Sequence, residues 1–426
     1  MLLGAVVALF VYISRAEPAQ LPEDVDQVSP SAEFENAAES AAYYREWISR
    51  EPDAVEPRAR LAQVMMQLAL ETGDEPRFVP EADRLLDEAL ERDPDHYYAQ
   101  TLRAALDNKL HRFEDARDLS RRLIERYPQH AFTHGTLIDA LVELGEYEEA
   151  VRASDRMQAM RPGLPAYARA SYLRELHGDS EGAIAAMRLA VDAEGPGRVA
   201  RSWAALKLGE LYLGEAKPDT AAFIFEQLLE EDPAFTPARA ALGHVALVRG
   251  DAAQAVRLLE AANAERPSAT TDEILVEAYA AVGDVDKAAA AAQRVLEDLY
   301  AARAFGENVD MEEADFLADA DRELDRALRL ATEQQRRRPG HMHANETLAW
   351  TLYKLGRAPE AVPYIERAMR LDTGDAMVHY RAGRIYAAAG QPGLAARHFR
   401  AAVDGNLGVE SPSAETDARE RLARAA

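Results

Sequence analysis

Cysteine is absent from this 426-residue chain, which excludes disulfides, thiolate metal sites and an acylated cysteine anchor. Its absence does not tell an oxidising compartment from a reducing one. Positive charge is also scarce: 49 Lys and Arg stand against 74 Asp and Glu, a formal net charge of -25 at pH 7. Neutralising a phosphate backbone needs basic patches, and the longest basic run is Arg336 to Arg338. The charge therefore argues against a nucleic-acid partner, and none is expected. The acidity reads as solvated outer helix faces, with a groove for a basic ligand or a salty cytoplasm as the sharper alternatives.

No hydrophobic run reaches the roughly 20 residues that cross a bilayer. The run at the start, Leu2 to Ile13, fits the core of a signal peptide, and Ser14-Arg15-Ala16 offers small residues where a signal peptidase reads. No basic segment precedes it; a start codon further upstream would supply one, and the extension could make the run a full anchor. Residues 1–16 are accordingly read as a signal peptide or membrane anchor. Residues 17–31, rich in proline, acid and glutamine, are read as a flexible tether. The expected location is the cell envelope of a bacterium, anchored or exported, with the cytoplasm as the alternative.

Catalytic signatures are missing too. There is no P-loop glycine pattern, no Gly-x-Ser-x-Gly elbow, no His-Glu-x-x-His and no calcium loop. Acid pairs such as Asp319 with Asp321 are too abundant to mark a site. His341-x-His343, followed by His379 and His398, could share a metal in a turn, but reads as loop and helix-start histidines. Asn345-Glu346-Thr347 matches a glycosylation sequon inside a predicted helix and is discounted. No cofactor and no metal are expected, and an enzyme with an unrecognised active site is the outlying alternative.

What the chain does have is a ruler. Pro128, Pro162, Pro233, Pro267 and Pro339 each close a segment with a small residue 12 places earlier, and the first four also have a small or apolar one 5 places earlier: Ala116 and Leu123, Ala150 and Met157, Ala221 and Leu228, Ala255 and Ala262, with Ala327 alone before Pro339. Self-similarity at about 34 residues signals stacked helix pairs and is far too long for coiled-coil heptads. Ten units follow, starting near residues 59, 97, 131, 165, 202, 236, 270, 308, 342 and 376. The third reads His134, Leu137, Ile138, Leu141, Gly145, Tyr147, Ala150, Met157, Pro162: an apolar stripe, a glycine break, then a second stripe.

The first unit holds about four extra residues between Gly73 and Ala82, including Pro76, Phe78 and Pro80, which predicts a protruding inter-helix loop. Glu-Gly-Pro-Gly at 194–197 is a breaker cluster where the stacking could change pitch. The eighth unit is the most degenerate, with Arg322 in place of the turn glycine, while Ala327, Ala331 and Pro339 keep register. Residues 32–52 are expected to form an N-terminal capping helix and residues 411–426 a C-terminal one, flanking units one to four (59–198) and five to ten (202–409).

These positions resemble the tetratricopeptide repeat family. Leu208, Gly209, Tyr212, Ala221, Phe225 and Pro233 stand at the consensus places of the fifth unit; Leu348, Ala349, Gly356, Ala361 and Ala368 at those of the ninth; Gly383, Tyr386, Gly390, Ala395, Phe399 and Ala402 at those of the last. Gly243 and Ala255 hold the equivalent small positions of the sixth. The resemblance implies an all-α, right-handed α-solenoid of about ten antiparallel helix pairs, acting as a non-catalytic scaffold that binds a peptide or helical segment of another protein in a concave groove. An assembly factor or co-chaperone for an envelope complex is the neighbouring reading.

In the family, the groove is lined from fixed positions of each first helix. Carried onto this chain they are Tyr98, Phe132, Asp139, Glu143, Trp203, Glu210, His244, Phe316, His343, Glu346, Trp350, Tyr353, Tyr380 and Arg384. The resemblance implies partner contact through Tyr98, Phe132, Trp203, His244, His343, Trp350, Tyr353, Tyr380 and Arg384, with Trp203, Trp350 and Tyr353 as aromatic anchors. A bulky residue at such a place can equally pack on the next repeat.

Overall fold

Helices begin and end where the sequence carries its punctuation. A computed structural model describes residues 37–195 and 199–425, and among them all regular structure is helical. The readings of residues 1–31, the start of the N-terminal cap at 32–36 and the second half of the breaker, 196–197, lie outside the described residues.

Helix α1 (Ala37–Arg50) precedes the pairs. In order these are α2 (Glu56–Thr72) with α3 (Glu75–Arg92), α4 (Tyr97–Lys109) with α5 (Phe113–Arg126), α6 (Ala131–Leu144) with α7 (Tyr147–Met160), and α8 (Leu164–Leu176) with α9 (Ser180–Asp192). They continue as α10 (Val199–Gly214) with α11 (Pro218–Glu231), α12 (Thr236–Val248) with α13 (Ala252–Glu265), and α14 (Ala269–Ala281) with α15 (Val285–Ala304). The last are α16 (Asp310–Asp319) with α17 (Leu324–Arg337), α18 (Met342–Lys354) with α19 (Ala358–Ala368), and α20 (Ala376–Ala388) with α21 (Pro392–Asp404). A short α22 (Leu407–Glu410) and the closing α23 (Pro412–Ala425) follow. Even-numbered helices from α2 to α20 are thus the first helix of a pair and odd-numbered ones the second.

Side-chain caps start several helices. Asp251 accepts from the Gln254 amide at 3.0 Å and Asp375 from the Val378 amide at 2.9 Å, each satisfying a donor that the helix leaves open. Small residues let the paired helices close: a methyl on Gly209 would lie 2.2 Å from the Phe225 ring, and one on Gly383 would lie 2.6 Å from the Phe399 ring. Ala150, Ala221, Ala255, Ala361 and Ala395 are all buried, as the ruler requires.

The expected loop after Gly73 is not there. Pro76 sits in the first turn of α3, where a missing amide costs nothing, and Pro80 is accommodated inside the helix. Phe78 and Val79 are buried, so the four extra residues lengthen the apolar stripe of the second helix. In the eighth pair Arg322 does not take the glycine's place; Asp321 does, with φ 51. Aspartate is among the residues that tolerate this left-handed conformation.

The chain forms two compact units. One comprises the described residues up to Leu141 with Arg152–Arg161 and Ala301–Asn308. Its core is built on Leu61, Met65, Leu86, Leu102 and Leu106. The buried Lys109 ammonium lies 2.8 Å from Glu307 and 3.0 Å from Glu75. The Asn308 amide donates to the Leu110 carbonyl at 3.2 Å.

The other unit comprises Val142–Val151, Pro162–Tyr300 and the residues from Val309 onward. Besides stacking with their neighbours, its pairs make contacts across long stretches of chain. Gly145, with φ 74, lies so close to Gly340 that a methyl on it would be 2.1 Å from the Gly340 carbonyl carbon. Beside it the Met342 amide donates to the Tyr147 hydroxyl at 2.9 Å, across 195 residues, and Arg370 donates to the Gly145 carbonyl at 2.7 Å. Gly178 approaches Asp372 in the same way. The Gly214 carbonyl accepts from Asn406 Nδ2 at 3.1 Å. Three successive inter-helix turns therefore dock on three successive loops.

Candidate functional site

The residues assigned to the inner positions of the first helices are mostly engaged already. In the first unit the Tyr98 hydroxyl donates to Gln63, and the Arg60 guanidinium lies 4.2 Å from the ring centroid. Burial raises the Tyr98 pKa, against the pull of Arg60. Phe132 packs half-buried on the same core.

In the second unit Trp203 leans on the core around α10 and α11, and its buried indole N–H has no hydrogen-bond partner. Glu210 takes Lys207 at 2.7 Å, and Glu143 faces Arg338 and His341 at 3.5 and 3.6 Å. Trp350 is buried, donates to Asp319 at 2.6 Å and stacks on Tyr353 with centroids 4.8 Å apart. Arg384 donates to Tyr353 at 2.8 Å, to Tyr380 at 2.6 Å and to Asp417 of α23 at 3.1 Å. Trp350, Tyr353, Tyr380 and Arg384 thus form one ladder from α18 through α20 to the C-terminal helix. Phe316 is half-buried on α16.

Beneath that ladder is a residue that the sequence reading passed over. Arg381, only 5% exposed, donates to Asp315 at 2.8 and 3.1 Å, to Asp319 at 2.8 Å and to Glu346 at 3.0 Å. Its charge lies 5.3 Å from the Trp350 ring centroid. Burial opposes ionisation of both aspartates; Arg381 outweighs it at Asp315, whose pKa is lowered, while burial prevails at Asp319, whose pKa is raised. The four-residue spacing of Asp315 and Asp319 places both on one face of α16, a signal that abundance of acids hid.

The histidine pair His341-x-His343 is split between two tasks. His341 Nδ1 caps α18 by accepting from the Ala344 amide at 3.3 Å, while His343 Nδ1 meets Glu346 at 3.0 Å. His379 and His398 meet each other, Nδ1 to Nδ1 at 3.0 Å, with stacked rings. Among the described residues no group of three or more ligating side chains could hold a metal ion.

Acidic side chains crowd the same unit. Glu175 of α8 is pushed up to about 7 by desolvation and by the nearby charges of Glu210 and Asp375, with Lys207 acting against them, although its carboxylate still reaches solvent. Desolvation raises Glu273 and Glu277 of α14 as well, although the Glu273 side chain still reaches solvent, and each also feels a like charge on α16, Asp315 and Asp319 respectively.

Two stretches of the chain, residues 212–272 and 313–376, match family models of the tetratricopeptide repeat. Both stretches carry tetratricopeptide repeats. Repeats of this kind generally mediate protein–protein interaction, which supports an interaction scaffold. No curated protein matches the chain. A chain in the crystal structure of the APC/C hetero-tetramer Cut9-Hcn1 is similar at 15% identity and a TM-score of 0.41, over 90% of this chain and 92% of that chain.

Proposed function

We propose that this protein is a non-catalytic scaffold that captures a positively charged segment of another protein along the inner positions of its first helices. The observation that carries the reading is the charge imbalance in the second unit. Glu175, Glu210, Glu273, Glu277, Asp315, Asp319 and Glu346 stand on first helices and feel one another's charge or share Arg381, while Lys207, Lys354 and Arg381 are the cations beside them, with His343 against Glu346. Desolvated carboxylates gain most from a cation that arrives with a partner. Rigid paired helices supply the surface in advance, so little ordering entropy is spent on binding.

The envelope is the proposed location, supported by the apolar run Leu2 to Ile13 and the proline-rich stretch behind it. No helix among the described residues is long and apolar enough to cross a membrane. The reading is tested by crosslinking from the native cell, with membrane and soluble fractions kept apart, comparing wild type with Glu175→Gln plus Glu273→Gln. Loss of one partner in the double variant, with the helical circular dichroism unchanged, supports inner-face capture. Retention of every partner overturns it. Trp203→Ala is a second probe, at an inner position of α10.

A further inference from the structure

The segment from Asn406 to Ser411, between α21 and α23, belongs to no repeat. It crosses three successive first helices of the second unit. Asn406 Nδ2 donates to the Gly214 carbonyl at the end of α10, at 3.1 Å. The His244 imidazole in α12 meets the Val409 carbonyl at 2.8 Å. The Ser411 hydroxyl lies beside the Glu277 carboxylate of α14 and acts to lower its pKa. Leu407 and Val409 are buried, and Val409 joins the apolar cluster of α10 to α12 with Leu208, Tyr212 and Val245.

A chain that lies across consecutive helices, burying one branched side chain and offering a main-chain carbonyl to a side-chain donor, binds as a short peptide would. His244 and Glu277 stand where a captured segment from outside would need them. One residue of the segment is mismatched. The Glu410 carboxyl is desolvated and sits in the field of Asp375 and Glu346, with Arg381 the opposing cation; its pKa is pushed up to about 8. An acid among acids makes this a weak occupant.

We infer that Asn406–Ser411 is a built-in ligand that covers the inner face of α10, α12 and α14, and that an outside segment must displace it. The inference rests on the inner-face reading above. The stronger competitor has a branched apolar residue in the place of Val409 and a basic or neutral residue in the place of Glu410. Because the site is occupied from within, outside affinity is reduced by the fraction of molecules in which the segment is seated.

The full chain is tested with a fluorescein-labelled peptide of residues 404–412, Asp-Gly-Asn-Leu-Gly-Val-Glu-Ser-Pro. Val409→Asp puts a charge where the segment is buried and unseats it, which hydrogen exchange at 407–411 reports directly. The expected result is that this variant binds the peptide about tenfold or more tighter than wild type, and that adding His244→Ala removes the gain. Glu410→Gln works in the opposite direction without disturbing packing: exchange at 407–411 slows, and the peptide binds less than to wild type. An unseated segment with intact helical circular dichroism and no gain in peptide binding overturns the inference, as does unchanged exchange in Glu410→Gln, which also decides the matter should Val409→Asp fail to fold. The inner-face reading fails separately, through partner retention in Glu175→Gln plus Glu273→Gln. Partner loss there with an unresponsive segment keeps capture and removes the built-in ligand.

Discussion

His244 Nε2 lies 2.8 Å from the main-chain oxygen of Val409, 165 residues further along the chain. A carbonyl only accepts, so Nε2 carries the proton in this contact. Burial lowers the His244 pKa, against the Val409 bond and Glu210, which raise it. His244→Ala leaves a buried carbonyl without its donor, a loss of roughly 1–3 kcal/mol. The expected outcome is faster hydrogen exchange at 407–411 with circular dichroism unchanged, and unaltered exchange there would refute it.

Gly145 and Gly356 offer a controlled pair. Both have φ 74, but a methyl on Gly356 meets nothing within 4 Å, whereas one on Gly145 collides with the Gly340 backbone. Gly356→Ala should cost about 1–2 kcal/mol, the left-handed penalty alone. Gly145→Ala adds a clash between main chains and should exceed about 3 kcal/mol. Urea midpoints of the two variants test the difference; equal midpoints would mean that the Gly145 dock yields without cost.

Arg381→Met leaves Asp315, Asp319 and Glu346 without their shared cation. Removing one partner of a fully buried pair costs about 3–5 kcal/mol. Asp315 and Asp319 keep 34% and 53% side-chain exposure, so solvent screening reduces the expected loss to roughly 2–3 kcal/mol. Acidification from pH 7 to pH 5 should recover part of it, because the uncompensated carboxylates then take up protons. Urea unfolding at both pH values measures the recovery.

Glu410 gives the seating of α22 a pH dependence of known sign. A carboxyl whose pKa is raised in the folded state binds protons more tightly there, so its contribution is complete below its ordinary value of 4.5 and is lost as pH rises through about 8. Around it stand Asp375, Glu346 and Arg381, with His244 and Glu277 of the covered helices beside its neighbours Val409 and Ser411. Exchange at 407–411, corrected for intrinsic rates, should accelerate between those limits in wild type and stay flat in Glu410→Gln. A wild-type profile as flat as that of the variant would contradict the assignment.

The repeats were legible because their constraint recurs. Gly209 faces Phe225, Gly383 faces Phe399, and the small residue is needed at each crossing for the same steric reason. Features that occur once were harder to read. Pro76 and Pro80 looked like loop residues, since proline breaks helices far more often than it starts them, yet Phe78 and Val79 between them had enough apolar surface to bury. Arg381 was hidden among many arginines, because what distinguishes it is burial against Asp315, Asp319 and Glu346, drawn from two other pairs. The aromatics chosen for the groove lie on first helices, where Trp350 donates to Asp319 and Tyr380 to Asp417. Nothing in Asn406 to Ser411 has a helical period or a repeat signature, so its docking on α12 was invisible.

In a linear array each repeat meets only its neighbours, so a repeat can be gained or lost without disturbing the rest. The docks of Gly145 on Gly340, Gly178 on Asp372 and Gly214 on Asn406 remove that freedom. One added or deleted repeat between Gly214 and Gly340 would throw all three out of step together. Over this stretch the number of repeats is a fixed count, and lengthening by duplication, open to most such arrays, is closed to it.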